Sequence, residues 1–320
     1  MIEAHAAQAL WRSAEADLTE GRLQSAEQVL RDLIAQGAAG SDVRYLLGYA
    51  LLAQGRYAEG FELYQARREV PAFNLALPGF PLKRWRGEPL AGLSLLAWPE
   101  QGFGDVIMFA RFALHLTRQG VGVTMAVPPP LARLFSGTQV RILPIDGPTQ
   151  IPNVHYFTGL GDLPHYCGTR LETLPAPWPV RGVARPTGGR IGIMTHGALD
   201  HANDANRSLP PDAAAQLMAL HGAISLRPED TGARDFQDTA DIVAGLERVI
   251  TVDTAVAHLA GSMGKATSIL LPHKRTDWRW MRDRDHTAWY PSARLYWQTP
   301  DNDWSRAIAQ LKSDLAEGDT

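Results

Sequence analysis

The stretch Ile250–Pro272 reads ITVDTAVAHLAGSMGKATSILLP and has the pattern of a strand, a turn, a helix and a second strand. The apolar run Val249–Val252 predicts the first strand, and Thr267–Leu271 predicts the second, after a glycine stop at Gly264. Asp253 lies between them as a natural N-cap. Because a helix that begins at the carboxyl end of a parallel strand offers free N–H groups and a partial positive charge, the stretch predicts a site for a phosphate group.

Two polar side chains accompany the predicted helix. Thr254 and His258 are four residues apart, which places them on one helix face beside the predicted phosphate site. The same pattern also fits a purely structural βαβ unit, capped by Asp253 and containing a buried histidine. The stretch alone leaves both interpretations open.

Composition narrows the class of protein. The chain has 320 residues, enough for two or three domains, and a formal net charge of -3. It has no basic stripe, which disfavours a nucleic-acid partner. A single cysteine excludes an internal disulfide, and no apolar run approaches the roughly 20 residues that span a bilayer. With a polar, acidic N-terminus unlike a signal peptide, these features predict a cytoplasmic protein without a membrane span.

The first seventy residues differ from the rest. The hexapeptide Leu18–Leu23 matches Leu52–Tyr57 at an offset of 34, and each contains a Gly-Arg pair. That period and the glycine turn resemble tetratricopeptide repeats, of which one and a half to two units would fit into residues 1–70. Because one and a half to two units cannot form a stable solenoid alone, we expect the block to pack on the next domain. It is either a helical cap or a peptide-docking surface.

After residue 70 the pattern changes to alternating strands and helices. The proline- and glycine-rich stretch Pro175–Gly189 divides this region in two. The sequence therefore predicts an α/β fold with two Rossmann-like domains at residues 71–180 and 187–300, which face each other across a cleft, and a final segment at 301–320. The predicted strands outside the opening stretch are Leu93–Trp98, Gly120–Val127, Val140–Leu143, Val154–Thr158, Arg190–Thr195 and Ala223–Leu226.

A glycine turn follows the first of these strands. Gln101, Gly102 and Gly104 precede Asp105, and an apolar helix is predicted from Val106 to Gln119. A dinucleotide fingerprint would need a third glycine where Ile107 stands, so NAD binding is disfavoured. Asp105 is either a plain N-cap or a general base at the rim of the cleft.

Several motifs together carry a resemblance. They are Trp85–Gly92, Glu100–Asp105, Arg207–Pro210, Val252–Gly261, Asp277–Trp280 and Trp289–Pro291. In this order they are similar to the bacterial tetratricopeptide-repeat glycosyltransferases, relatives of the heptosyltransferases and the O-GlcNAc transferases, from about residue 10 to residue 315. The resemblance implies a GT-B fold, in which the first domain holds the acceptor chemistry and the second holds a nucleotide sugar. It also implies that the final helix, Trp304–Leu315, packs back across the domain boundary.

The resemblance assigns roles to individual residues. It implies that Asp105 is the catalytic base and that Arg207 contacts the donor phosphates. One departure is the segment Met194–Gly197, which reads Met-Thr-His-Gly where relatives commonly have Trp-(Ala/Ser)-Gly-Asn. Its His196 is either a cleft residue that alters donor choice or a loop histidine. The residues that match the donor-binding motif are Asp253, Thr254, Ala255 and His258.

The expected function is that of an inverting, metal-independent glycosyltransferase with a nucleotide-sugar donor and no other cofactor. A protein acceptor, docked on the helical block, is favoured over a lipopolysaccharide or other glycan. A non-catalytic scaffold with a vestigial core is the alternative from another class. The pair Asp283 and Asp285 matches the DxD pattern of metal-dependent transferases, but in this arginine-rich loop a structural role is favoured.

Overall fold

The computed structural model describes residues 2–75, 77–198 and 201–318. The chain begins with a helical block of two antiparallel helix pairs. Each pair turns at a glycine of positive φ, Gly21 (73°) or Gly55 (81°), and these are the two glycines of the matched hexapeptides. The helices of the block are α1 (Ala4–Thr19), α2 (Leu23–Ala35), α3 (Ser41–Ala53) and α4 (Tyr57–Tyr64).

A parallel sheet follows the block, with strand order β1-β5-β2-β3-β4. Its strands are short apolar runs, and the helices between them are apolar on the face that covers the sheet. In chain order the elements are β1 (Lys83–Arg84), β2 (Ser94–Trp98), α5 (Phe103–Arg118), β3 (Gly122–Val127), β4 (Arg141–Pro144), β5 (Tyr156–Gly159) and α6 (Leu163–Tyr166).

The second sheet is also parallel and has the order β10-β9-β8-β6-β7. The predicted fold class, α/β with two Rossmann-like halves after an all-helical block, is confirmed. Its elements are β6 (Ile191–Met194), α7 (Asp204–Arg207), α8 (Pro211–Met218), β7 (Ala223–Ser225), α9 (Pro228–Thr231), α10 (Phe236–Ala244), β8 (Arg248–Val252), α11 (Ala255–Ser262), β9 (Ala266–Leu271), β10 (Ala293–Trp297) and α12 (Ser305–Gly318).

The structure corrects two predicted caps. Thr254, in an extended conformation, caps α11 by accepting a hydrogen bond from Val256 N, so Asp253 lies one residue before the cap. Helix α5 is capped at Gly102 and begins three residues earlier than predicted, so Asp105 is not a cap but the third residue of the first turn.

The last helix packs within the second half rather than across the domain boundary. Trp304, Ile308 and Leu311 are buried against β8, β9 and α8 in one apolar cluster. Tyr296 on β10 donates a hydrogen bond to Asp314 of α12, with 2.8 Å between the oxygens.

One continuous apolar core joins the helical block to both sheets. Tyr57 and Phe61 of α4 pack edge-on against Trp278, and the Trp289 indole donates a hydrogen bond to the Tyr57 hydroxyl at 2.7 Å. The block is thus an integral layer of the protein, as its small number of helices requires. No helix among the described residues has the length and apolarity needed to cross a membrane.

Candidate functional site

A cleft of about 830 Å³ lies between the two sheets, at the carboxyl ends of β2, β6, β7 and β8. This edge of parallel sheets is where α/β proteins bind ligands. The helical block contributes Tyr49, whose hydroxyl donates a hydrogen bond to the carbonyl of Thr276 at 2.9 Å. The cleft is therefore lined by all three parts of the chain.

Two helices, one from each half, begin at the cleft. The N-terminus of α5 lies against the N-terminus of α11, and a Cβ added at Gly104 would be 2.7 Å from His258 Cδ2 and 3.5 Å from Ala255 Cα. Only a glycine allows the two helices to approach this closely. Because the N-terminus of each helix carries a partial positive charge, the arrangement is suited to an anionic ligand.

Arg279 connects the two helices. Its Nη2 donates to Asp105 Oδ1 at 2.6 Å and its Nη1 lies 3.1 Å from His258 Nε2. Burial opposes the positive charge of Arg279, but the carboxylates of Asp277, Asp105 and Asp253 outweigh that effect and raise its pKa well above its usual range. Arg279 is 6% exposed, so it is a buried, permanently charged member of the cleft wall.

Both ring nitrogens of His258 are engaged. Nδ1 lies 2.9 Å from the Tyr290 hydroxyl, and the ring stacks on Trp280. Burial, together with the charges of Arg279 and Arg111, holds the pKa of His258 well below its usual range, so the ring is neutral. The structure thus places His258 behind Arg279, where it is only 2% exposed.

Three carboxylates surround Arg279. Asp277 pairs with it through Oδ1, 2.9 Å from Nε, and Asp253 and Asp105 lie on the same wall. Burial, aided by these two neighbouring carboxylates and opposed by Arg279, raises the pKa of Asp277 to about 6. Burial also raises the pKa of Asp253, again with Arg279 in opposition. The group around Arg279 is therefore rich in negative charge.

Arg207 supplies positive charge beside Asp253. Its Nη1 donates to the carbonyl of Asp253 at 3.0 Å, and its guanidinium fills the space above Gly197, where a Cβ would be 2.2 Å from Nη2. Its side chain is 12% exposed. His196 lies in the same loop and also lines the cleft, with Nδ1 3.1 Å from Thr195 Oγ1.

The glycine turn before α5 is held from behind by the helical block. Glu100 accepts hydrogen bonds from Arg67 (2.9 Å to Oε2) and Arg68 (2.8 Å to Oε1), which follow α4. Arg67 also pairs with buried Asp162 at 2.8 Å. Gln101 donates to the Tyr64 hydroxyl at 3.3 Å. This buried ion cluster fixes the turn that carries Asp105 relative to the block.

Most of the residues predicted from the sequence meet at this cleft. Gln101 does not line it, because its side chain points to Tyr64. Three residues that line the cleft were not predicted from the sequence: Arg279, Asp277 and Tyr49. The first two follow the carboxyl end of β9, and that position in the sequence could have indicated them as site residues. The predicted residues that do line the cleft are Gly102, Gly104, Asp105, His196, Arg207, Asp253, Thr254, Ala255 and His258.

The DxD pair lies away from the cleft. Asp285 is exposed and pairs with the neighbouring His286, at 2.9 Å from Nδ1. Over the described ranges, no group of three or more histidine, cysteine or acidic side chains is arranged to hold a metal ion.

Comparisons with known proteins add a distant relative. No family model matches the chain. The chain is 23% identical over 328 residues to Protein FlbA of Caulobacter vibrioides, in an alignment that covers 83% of this chain and 54% of FlbA. The chain thus spans about half the length of that curated relative.

Solved structures with some likeness include three glycosyltransferases. E. coli heptosyltransferase WaaC with ADP has a TM-score of 0.47 at 12% identity, covering 71% of this chain and all (100%) of that one. A glycosyl transferase family 9 protein from Veillonella parvula scores 0.44 at 13%, covering 72% and 93%. The iron-containing glycosyltransferase TibC from enterotoxigenic E. coli scores 0.42 at 13%, covering 60% and 59%.

Proposed function

We propose that the chain transfers a sugar from a nucleotide-sugar donor to an acceptor hydroxyl, as an inverting, metal-independent glycosyltransferase, and that the favoured acceptor is a protein. One observation carries the proposal: a carboxylate from the first half, Asp105, and an anion-binding helix start from the second half, Thr254–Ala255, face the same cleft. This is the division of labour that the sequence motifs imply.

The donor would bind on the second half. The positively polarised N-terminus of α11 and the guanidinium of Arg207 lie together on the wall beside Asp253. They would hold the diphosphate and stabilise the charge that develops on it as the bond to the sugar breaks. Arg275, exposed at the rim, adds a further positive charge. These groups make a divalent cation unnecessary in the proposed mechanism.

The acceptor would be activated on the first half. Asp105 Oδ1 is occupied by Arg279, and Oδ2 has no hydrogen-bond donor within the described part of the chain. Oδ2 would take the proton of the acceptor hydroxyl as its oxygen attacks the anomeric carbon and the nucleoside diphosphate departs from the opposite side. One such displacement inverts the configuration of the sugar. The position of Tyr49 at the cleft is consistent with an acceptor that approaches along the helical block.

The test is the release of nucleoside diphosphate from a panel of donors that includes UDP-N-acetylglucosamine, GDP-mannose and ADP-heptose, with water or glycerol as acceptor. Asp105→Asn should lower the release rate by about 10²–10⁴-fold, the usual effect of losing a positioned base, and leave donor affinity nearly intact. The matched control Asp285→Asn changes an exposed aspartate outside the cleft and should behave as wild type. A wild-type protein that binds none of the panel would favour the scaffold alternative.

A further inference from the structure

A continuous chain of polar contacts runs from Tyr290 to Asp105 through the middle of the protein. Arg279 can only donate hydrogen bonds, so His258 Nε2, 3.1 Å from its Nη1, must be the acceptor. The hydrogen of the neutral imidazole is therefore on Nδ1, which donates to the Tyr290 hydroxyl at 2.9 Å. At the other end of the chain, Arg279 Nη2 donates to Asp105 Oδ1 at 2.6 Å.

This chain crosses the boundary between the two halves. Asp105 is on α5 of the first half, whereas His258 is on α11 and Arg279 follows β9 in the second half. The guanidinium reaches both partners because its planar fork presents donors in two fixed directions, which a lysine ammonium cannot do.

We propose, on the basis of the sugar-transfer function above, that Arg279 is the positioning residue for Asp105: it turns Oδ1 away from the cleft, leaves Oδ2 for the acceptor hydroxyl and sets the carboxylate in register with the donor helix α11. Arg279 does not need to touch the donor or the acceptor in this role. A rate effect without an affinity effect is its signature.

The carboxylates of Asp253 and Asp277 face the same guanidinium as Asp105, and Arg279 is the cation between them. Its hydrogen bond to Oδ1 therefore fixes the orientation of Asp105 within a crowded group of carboxylates.

The experiment compares Arg279→Gln and Arg279→Lys with the control Arg284→Gln, whose arginine is exposed in the same loop. The assay is nucleoside diphosphate release from the donor that wild type uses best, with separate measurement of donor Kd. In Arg279→Gln, kcat should fall about 10²-fold, as for a misplacement of about 1 Å, with Kd within threefold. Arg279→Lys should recover part of the lost kcat, because it restores the charge but not the fork.

A mutant cycle with Asp105→Asn separates positioning from simple support of the fold. If Arg279 acts through Asp105, Arg279→Gln should have little further effect on kcat in the Asp105→Asn background. Equal losses of kcat in both backgrounds, or a lower melting temperature with kcat unchanged, would overturn the proposal and leave the sugar-transfer function standing. If Arg279→Gln fails to fold, the same mutant cycle with Arg279→Lys tests the positioning role. A wild-type protein that transfers no sugar would overturn both the positioning role and the sugar-transfer function.

Discussion

Gly104→Ala tests the close approach of the two helix starts. The added Cβ would lie 2.7 Å from His258 Cδ2 and 3.3 Å from Nε2, well inside ordinary contact distance. The imidazole cannot swing aside, because Tyr290 and Arg279 hold its two nitrogens and Trp280 stacks on its face. Helix α11 or α5 must therefore shift by several tenths of an ångström.

The cost follows from this geometry. Overpacking a well-filled site costs about 1–3 kcal/mol, and the removal of a helical glycine returns at most about 1 kcal/mol. Gly104→Ala should therefore lose about 1–2 kcal/mol of unfolding free energy, which in a chain of this size lowers the melting temperature by roughly 2–4 °C. Because Asp105 moves with α5, nucleoside diphosphate release should fall by up to about 10²-fold.

Calorimetric melting and the release assay measure both effects. Gly79→Ala is the control, since its added Cβ would meet no heavy atom within 4 Å and the residue is exposed. A Gly104→Ala protein with the melting temperature and rate of wild type would refute the described packing of α5 on α11.

Two further predictions concern charge. The pKa of Asp277 is raised to about 6 in the native state, so between about pH 4 and pH 6 the native state binds more protons than the unfolded state. The free energy of unfolding therefore falls as pH rises through that window, by up to about 3 kcal/mol. Asp277→Asn, which keeps an acceptor for the Arg279 N–H, should be more stable than wild type at pH 7.5 and equal to it at pH 4 in urea denaturation; a variant less stable at pH 7.5 would contradict this. For the metal question, donor turnover should survive EDTA and the double change Asp283→Ala, Asp285→Ala, whereas activity lost in chelator and restored by Mn²⁺ would revive the DxD motif as a metal site.

The sequence predicted the elements better than their ends. Most of the buried apolar strands were found because parallel strands covered on both faces read as continuous apolar runs. Strand β10 (Ala293–Trp297) was missed, because the exposed Arg294 interrupts its apolar run. Strand β1 was missed because it is a two-residue edge strand, Lys83–Arg84, without any apolar pattern. The cap of α11 was assigned to Asp253 because aspartate and threonine are both good caps, and only the backbone conformation decides between adjacent candidates.

Site residues could be predicted from the sequence where they belong to a local strand-turn-helix motif. Asp105 and the Asp253–His258 segment each follow a strand in the sequence, so their place at the cleft could be inferred. In the sequence Arg279 belongs to an arginine-rich, polar loop, and it was given no role in the site. Its burial depends on Trp278, which packs against Tyr57 and Phe61 of the helical block more than 200 positions away in the chain. No local pattern reports such a contact.

Calorimetric titration with a nucleoside diphosphate tests the central claim most directly, since it asks whether the wall formed by α11 and Arg207 binds a diphosphate. The titrant is the nucleoside diphosphate whose nucleobase the donor panel selects, and wild type should bind it. Arg207→Gln should weaken this binding about 10–100-fold, the equivalent of about 1.4–2.8 kcal/mol for a lost charge-assisted contact. Arg284→Gln, outside the cleft, should match wild type. Equal affinity in all three proteins, or no binding of any nucleoside diphosphate to wild type, would contradict the assignment of this cleft as a nucleotide-sugar site.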